Sequence, residues 1–465
     1  MVVTQSAAAL AAYAARCAII SPDDRTWAYN RILSALRRTG PAPAWDAVDM
    51  GGFDLEAVMA QLSAAGVAAG LDEDTPSGHD RIETELMGLL LARPSTVNGR
   101  FHELRLTEGP RAATDWFYRL CCDARYVREA AIARNVSWIA FTDWGVLEIT
   151  INLSKPEKDP RDIVAAARKA ASDEPSYQDP ATGAFRPCPL CVTEADLECG
   201  YAKRMQLNGE PWGLWYSPYA YYQEHCIAMS WHHRPMHIDR SAFACLFDVV
   251  DLLPQYFFGS NAELPIVGGS ILGHDHFQGG RHVFPMQEAP LSESFELTGF
   301  EGIRAGVATW PVSVIRLSGV DRQMLIQAAC TVLDAWRTYD DSQAGIVSES
   351  EGERHNTITP ILSRRDGEYQ LDLALRCNVT SAERPLGVFH PHERLHHIKK
   401  ENIGLIEVMG LAILPPRVRS VMADRGLSRD DVGNLFAEVL ECAGVFKWDA
   451  AGRAAQSRFI KVLTS

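Results

Sequence analysis

The hydrophobic pattern changes period once along this chain, near residue 138, and that change limits the possible folds more than any single motif does. Before it, apolar residues recur at helical spacing in Trp27–Leu36, Leu55–Val67, Ile82–Leu91 and Trp116–Ile132, the repeat of helices with one buried stripe. Gly40-Pro41, Pro94 and Gly109-Pro110 punctuate them, as residues that stop or start helices do. After it, Trp138–Phe141 and Val146–Leu153 alternate about Asp143-Trp144-Gly145, which predicts a β-hairpin. Strands are predicted at Trp212–Tyr222, His225–Met229, Arg281–Phe284 and Val312–Leu317, and at Thr357–Ser363 with Tyr369–Arg376 about a turn at Arg365-Asp366-Gly367. Helices are predicted at Pro160–Ala171, Asp239–Phe257 (with Asp239 as N-cap), Asp321–Arg337, Asn402–Leu414 and Arg429–Glu441. The fold class is therefore α+β: antiparallel sheets with packed helices, preceded by a mostly helical N-terminal region. The organisation expected is a helical region over 1–140, one half over 141–300 and a second over 301–465.

The formal net charge of −14 argues against non-specific nucleic-acid binding, which needs a basic field to displace phosphate counterions. An anionic ligand would have to be met by a local basic pocket inside that unfavourable field. The eleven cysteines are scattered and odd in number, which suggests a reducing, cytoplasmic setting. The Ala-rich start, Ala7–Ile20, is interrupted by Tyr13 and Arg16 and is too short to span a bilayer. It is expected to be a small surface helix, and the protein to be soluble.

Three clusters could carry chemistry. In Gly273-His274-Asp275-His276-Phe277-Gln278, a strand would project residues 274, 276 and 278 to one face, so that two imidazoles and a carboxamide converge. Gly268-Gly269-Ser270 precedes this run and Gly279-Gly280 follows it. Glycines admit close backbone approach to a ligand, and successive N–H groups can cradle an anion. A neutral nucleophile beside an anion cradle suits a phosphoryl reaction. Cys188-Pro189-Leu190-Cys191 has the spacing of a redox pair or of half a zinc site, two ordinary buried cysteines being the plain alternative. No βαβ pattern surrounds it to support the redox reading, and His225, His232, His233 and His274 are candidates for the other half of a zinc site. Four histidines fall within Phe389–His397, and Lys399-Lys400 stands ahead of a predicted helix start, where an anion would be favoured. Lys155 and Lys158 follow a strand.

These features in this order resemble the galactose-1-phosphate uridylyltransferases of the second type, in the histidine-triad superfamily. The resemblance is carried by Leu147–Pro160, Cys188–Cys191, Tyr216–Ile238, Phe258–Met286 and Phe389–Pro416, and it covers most of the chain. It implies a two-step exchange: His276 takes the uridylyl group from UDP-glucose, and galactose 1-phosphate then removes it as UDP-galactose. A neutral imidazole attacks and leaves readily near neutral pH, provided its other nitrogen is held protonated by an acceptor, a task the family gives to the backbone. Gln278 stands where hydrolytic relatives carry a third histidine. A carboxamide cannot titrate, so it favours transfer over activation of water. The resemblance further implies structural zinc on Cys188, Cys191, His233 and His274, and Leu190 packed on the uracil. Asn261, Gly269, Ser270 and Gln278 would lie around the α-phosphate, with Lys155 and Lys158 near the diphosphate. Lys400 and the backbone of Ile403–Gly404, in the 301–465 half, would meet the hexose 1-phosphate. The family's first type has an Asn-Asp pair where this chain has Ser217-Pro218. It also has a second metal site, of which only His390–His392 is a hint here, and it assembles as a dimer, so a homodimer is open. The rival readings are a dinucleotide polyphosphate phosphorylase, which shares the His-x-His-x-Gln pattern, and a non-catalytic zinc-binding protein.

Overall fold

The computed structural model describes residues 2–154, 203–268 and 271–465. The predicted helix at Pro160–Ala171 lies outside them. The described residues form two compact units, 2–129 and 130–154 with 204–465. None of their helices is long and apolar enough to cross a membrane.

The first unit is helical: α1 (Val2–Arg16), α2 (Arg25–Ala35), α3 (Leu55–Ala68), α4 (Pro76–Gly88), α5 (Pro94–Thr107) and α6 (Pro110–Asp123). Asp54 and Thr75 cap α3 and α4 through their side chains, meeting amides that a helix start leaves unpaired. The expected surface helix at the N-terminus is instead a core element. Ala7, Leu10, Ala11 and Ala14 of α1 are buried with Tyr29 and Ile32 of α2 and Met59 and Leu62 of α3. Small alanines let the neighbouring helices approach α1 closely.

The second unit is built on a ten-stranded sheet. Its strands are β3 (Lys203–Leu207), β4 (Glu210–Tyr216), β5 (Cys226–Ser230), β6 (Phe257–Gly259), β7 (His276–Gly280), β8 (Leu291–Phe295), β9 (Arg304–Ala308), β10 (Val314–Gly319), β13 (Asn356–Arg365) and β14 (Glu368–Cys377). They run in the order β3-β4-β5-β7-β6-β13-β14-β10-β9-β8. β1 (Val136–Thr142) and β2 (Gly145–Ile151) form the predicted hairpin. With β15 (Leu411–Leu414) they make a three-stranded sheet in which β15 runs parallel to β2; β11 (Glu349–Ser350) and β12 (Glu353–Arg354) are a short separate hairpin.

Two tight turns set the register of the large sheet. Asp366 and Gly367 join β13 to β14, and Asn208 and Gly209 join β3 to β4, both residues of each pair having positive φ. That is the backbone of the two-residue turns whose twist matches paired strands. α7 (Arg240–Leu252) and α8 (Arg322–Arg337) pack on one face of the sheet, each started by an aspartate cap, Asp239 or Asp321. A single helical turn, α9 (Leu405–Val408), leads into β15. The other face of the large sheet is covered by Leu147 and Ile149 of β2, Leu411 and Leu414 of β15, and Val432, Phe436 and Leu440 of α10 (Arg429–Ala443).

Four predicted elements differ. The strand expected at Trp212–Tyr222 ends at Tyr216, where Ser217-Pro218 turns the chain out of the sheet. α7 stops at Leu252 and β6 begins at Phe257, because Pro254 disfavours helical geometry at the residue before it. Arg281–Phe284 is not a strand: the ladder ends at Gly280, which pairs with Phe257 and has φ +153°, and Arg281 turns to Glu224. Asn402–Leu414 is helical only over α9. Gly410 then takes φ +102°, and the apolar run beyond it joins the small sheet as β15.

Pairing aligns one row across the large sheet, Gln278–Gly259–Ile361–Asp372–Arg316. His276, two residues from Gln278, and Arg376, four from Asp372, share that face by strand alternation. Within the row Arg316 Nε donates to Asp372 at 2.5 Å, and its Nη atoms donate to Ala289 O and Met286 O. Asp372 is wholly buried. Removing one partner of a buried pair strands the other charge at a cost of about 3–5 kcal/mol. Arg316→Met is therefore expected to lower unfolding free energy by about that amount in urea titrations; a loss within experimental error would show that the pair does not hold the sheet.

Candidate active site

β7 begins at His276, and its antiparallel neighbours β5 and β6 fix the orientation of its side chains. His276 is almost fully buried. Its Nδ1 lies 2.7 Å from the backbone oxygen of His274. A carbonyl only accepts, so Nδ1 carries the proton and donates it, and the Nε2 lone pair is left bare. Among the described residues no group hydrogen-bonds Nε2. Burial pushes the His276 pKa below the ordinary imidazole value, which keeps the ring neutral and nucleophilic at neutral pH.

Gln278 stands one alternation further along, on the same face. Its Oε1 lies 3.1 Å from Nε2 of His225. From the residues alone, His225 is a candidate metal ligand, but the structure seats it against Gln278, apart from the pair formed by His233 and His274. His232 is exposed. The rings of His233 and His274 stand edge to face with centroids 4.8 Å apart. His274 Nε2 donates to Ser230 O at 2.8 Å, and burial brings its pKa down to about 4. A neutral imidazole whose other nitrogen donates to a carbonyl is what a metal ligand requires, so the described half of the expected zinc set fits. Cys188 and Cys191 lie outside the described residues, as do Leu190, Lys155, Lys158, Gly269 and Ser270. Among the described residues no group of three or more histidine, cysteine or acidic side chains is gathered as a metal site. Around His390, two rings turn to backbone instead: His390 Nδ1 and His396 Nε2 both face Pro391 O, at 3.2 and 3.0 Å.

The segment expected to meet the hexose 1-phosphate lies over this same face. Asn261 Oδ1 accepts from Leu405 N–H at 3.0 Å, which leaves its NH2 as the group available to a ligand. Gly268, at φ +134°, passes so close to Ile403–Gly404 that a Cβ would stand 3.0 Å from Ile403 O. At Gly259 a Cβ would meet Leu405 at 2.8 Å. Lys400 is exposed, while Lys399 is buried with Nζ on Glu407 at 2.7 Å. The sequence offers His225 only as a metal candidate, not as a neighbour of Gln278. It does not single out Arg376, whose buried guanidinium donates to Ile403 O through Nη2 at 2.9 Å and has no partner for Nε or Nη1 among the described residues. Burial lowers its pKa to about 10, so it remains a cation.

The downstream glycines have a different purpose from the one expected. A Cβ on Gly279 would stand 2.4 Å from the Phe258 ring, and one on Gly280 would stand 2.7 Å from Glu224 O. They make room for packing, not for a ligand.

A sheet that presents a neutral, backbone-oriented imidazole beside a carboxamide has the groups that transfer through a histidine would need. The N-terminal domain model of galactose-1-phosphate uridyl transferase matches residues 20–235, and its C-terminal domain model matches 249–431. The chain belongs to the galactose-1-phosphate uridylyltransferase family. It is 43% identical to the galactose-1-phosphate uridylyltransferase of Pediococcus pentosaceus, over 95% of this chain and 96% of that one. It is 43% identical to one from Streptococcus pneumoniae (84% and 86%) and 41% to that of Clostridium acetobutylicum (88% and 89%). Among solved structures, yeast Ap4A phosphorylase aligns with 67% of this chain and 87% of its own, at 12% identity and a TM-score of 0.35, a likeness too slight to carry an argument.

Gly279→Ala is expected to cost about 1–3 kcal/mol by overpacking, whereas Gly273→Ala, where a Cβ meets nothing within 4 Å, should stay close to wild type. Denaturant midpoints of the two variants check this, and equal midpoints would contradict the packing account of Gly279.

Proposed function

We propose that this chain is a UDP-glucose–hexose-1-phosphate uridylyltransferase working through a uridylyl-histidine on His276. The observation that carries the proposal is the His276 Nδ1–H to His274 carbonyl bond, which leaves Nε2 as the attacking atom. In the first half-reaction the Nε2 lone pair attacks the α-phosphorus of UDP-glucose. An N–P bond forms, the bond from phosphorus to the bridging oxygen breaks, and glucose 1-phosphate leaves with that electron pair. The ring keeps its Nδ1 proton, and the positive charge it gains faces the His274 carbonyl. In the second half-reaction a phosphate oxygen of galactose 1-phosphate attacks, the N–P bond breaks and UDP-galactose departs.

Neither leaving group demands a proton: glucose 1-phosphate departs as a stable anion, and the imidazole departs neutral because Nδ1 has kept its proton. A third histidine would have no acid–base task here and could activate water instead; the carboxamide of Gln278 can donate to phosphoryl oxygens without doing so. Arg376, with N–H groups unpartnered among the described residues beside Ile403, adds a cation on the side where the hexose 1-phosphate would lie; a buried cation of this kind is stabilised by an anion. Asn261, Gly269 and Ser270 would attend the α-phosphate, Lys155 and Lys158 the diphosphate, Leu190 the uracil and Lys400 the sugar phosphate. Cys188, Cys191, His233 and His274 would hold zinc, whose contribution is structural: it would tie the chain just ahead of β7 to the Cys-x-x-Cys segment. The described cysteines are free, in keeping with a cytoplasmic location, and a homodimer belongs to the same reading. A phosphorylase of dinucleotide polyphosphates is not favoured, because both halves of the chain match the uridylyl transferase models. A non-catalytic zinc-binding protein is disfavoured by an oriented imidazole and carboxamide that such a protein would not need.

Incubation with UDP-glucose labelled in the α-phosphate is expected to leave about one equivalent of acid-labile, alkali-stable label on the protein, with release of glucose 1-phosphate before any acceptor is added. His276→Ala should take up none; label on that variant, or none on the wild type, would overturn the proposal. Zinc content of the purified protein provides a second check: Cys188→Ser should lower it, and an unchanged content would remove the proposed ligand set.

A further inference from the structure

His225 has no task in the reaction just described, yet it is built in with care. It is 4% exposed, and its ring lies against those of Tyr221 and Tyr222, with centroids 5.4 and 4.7 Å away. The Tyr222 hydroxyl is itself anchored on Gly279 O at 3.1 Å. Among the described residues the polar group that meets the imidazole is Gln278 Oε1, 3.1 Å from Nε2, while Nδ1 is buried without a hydrogen-bond partner. Burial brings the His225 pKa down to about 4, so at neutral pH the ring holds one proton and one lone pair.

The two neutral tautomers would produce two different active sites. With the proton on Nδ1, a buried N–H donor is orphaned, which is rare in folded proteins. Nε2 must then accept from the Gln278 amide, and the carboxamide oxygen is turned toward the substrate. Phosphoryl oxygens carry only lone pairs, so that arrangement repels them. With the proton on Nε2, the ring donates to Gln278 Oε1, only an acceptor lone pair on Nδ1 is unmet, and the amide NH2 is turned toward the substrate. We propose that His225 is a positioning residue that fixes the flip of the Gln278 carboxamide, so that its NH2 group and not its oxygen meets the phosphoryl oxygens of the substrate at His276. The chain thus orients its nucleophile through a backbone carbonyl and its phosphate donor through a second, non-reacting imidazole. The tyrosines hold that imidazole in place, and it never touches the substrate.

This inference rests on Gln278 meeting the substrate, as proposed above, and the test separates the two. His225→Phe keeps the ring against the tyrosines and deletes the donor; His225→Gln returns an N–H donor of similar reach. With the uridylyl-exchange assay, His225→Phe is expected to lower kcat about tenfold or more, with a smaller change in the KM for UDP-glucose, because the lost contact acts when charge builds on the phosphoryl oxygens. His225→Gln should recover most of that loss. In a Gln278→Ala background, His225→Phe should add little further loss, since the group it orients is gone. A His225→Phe enzyme with wild-type kcat overturns the inference. So do equal losses in the Phe and Gln variants, which would point to shape alone. If Gln278→Ala itself is fully active, the role of Gln278 falls instead, and the inference falls with it. Nitrogen NMR of the wild-type protein provides a reading free of any folding defect: His225 is expected protonated on Nε2 and bare on Nδ1, and the opposite tautomer overturns the proposal.

Discussion

One hydrogen bond organises the site: the imidazole of His276 donates from Nδ1 to the carbonyl of His274, two residues earlier in its own chain. It settles which nitrogen has a lone pair, and in which direction that lone pair points. Because the acceptor is backbone, the orientation of the imidazole is tied to the path of the chain entering β7, and that path is tied to the strands on either side. A carboxylate in the carbonyl's place would hold the ring equally well but would place a negative charge beside an incoming diphosphate. In a chain with a net charge of −14, a neutral acceptor avoids adding to an already unfavourable field.

The sheet extends that local arrangement into a surface. Its register sets Gln278 in line with Gly259, Ile361, Asp372 and Arg316. The missing side chain at Gly259 lets Leu405 settle on the face that carries His276. Asn261 then binds the Leu405 amide, and Arg376 binds the Ile403 carbonyl. A segment more than a hundred residues distant in sequence is thereby held over the face that carries His276 by two hydrogen bonds and two close glycine contacts. In a uridylyl exchange through His276, that apposition would bring the acceptor phosphate to the donor.

Much of this is legible in the sequence, for reasons that can be stated residue by residue. The period-two spacing indicates the shared face of His276 and Gln278, though His274, expected on the same strand face, lies in a bend ahead of β7 beside His233. Asp239 and Asp321 mark two helix starts correctly. Legibility fails where a residue's task depends on something remote. Gly279 and Gly280 read as ligand-approach glycines, since no local pattern reveals the Phe258 ring and the Glu224 carbonyl that need their space. α1 reads as a surface helix because alanine suits exposed and close-packed positions alike. His225 reads as one metal candidate among several; only the fold shows that it faces Gln278. The hairpin at Asn208-Gly209 is a different kind of omission, because an Asn-Gly pair between β-rich runs is a strong local signal. Arg376 carries no signal at all: an arginine closing a strand is ordinary until its burial is seen, with two nitrogens that find no partner among the described residues.

Which nitrogen of His276 reacts can be measured directly. The uridylyl-enzyme, formed with UDP-glucose in protein carrying nitrogen-15 histidine, should show phosphorus–nitrogen coupling to Nε2, with the proton still on Nδ1. Coupling to Nδ1 would mean that the bond to the His274 carbonyl does not orient the nucleophile, and it would contradict the mechanism at its centre.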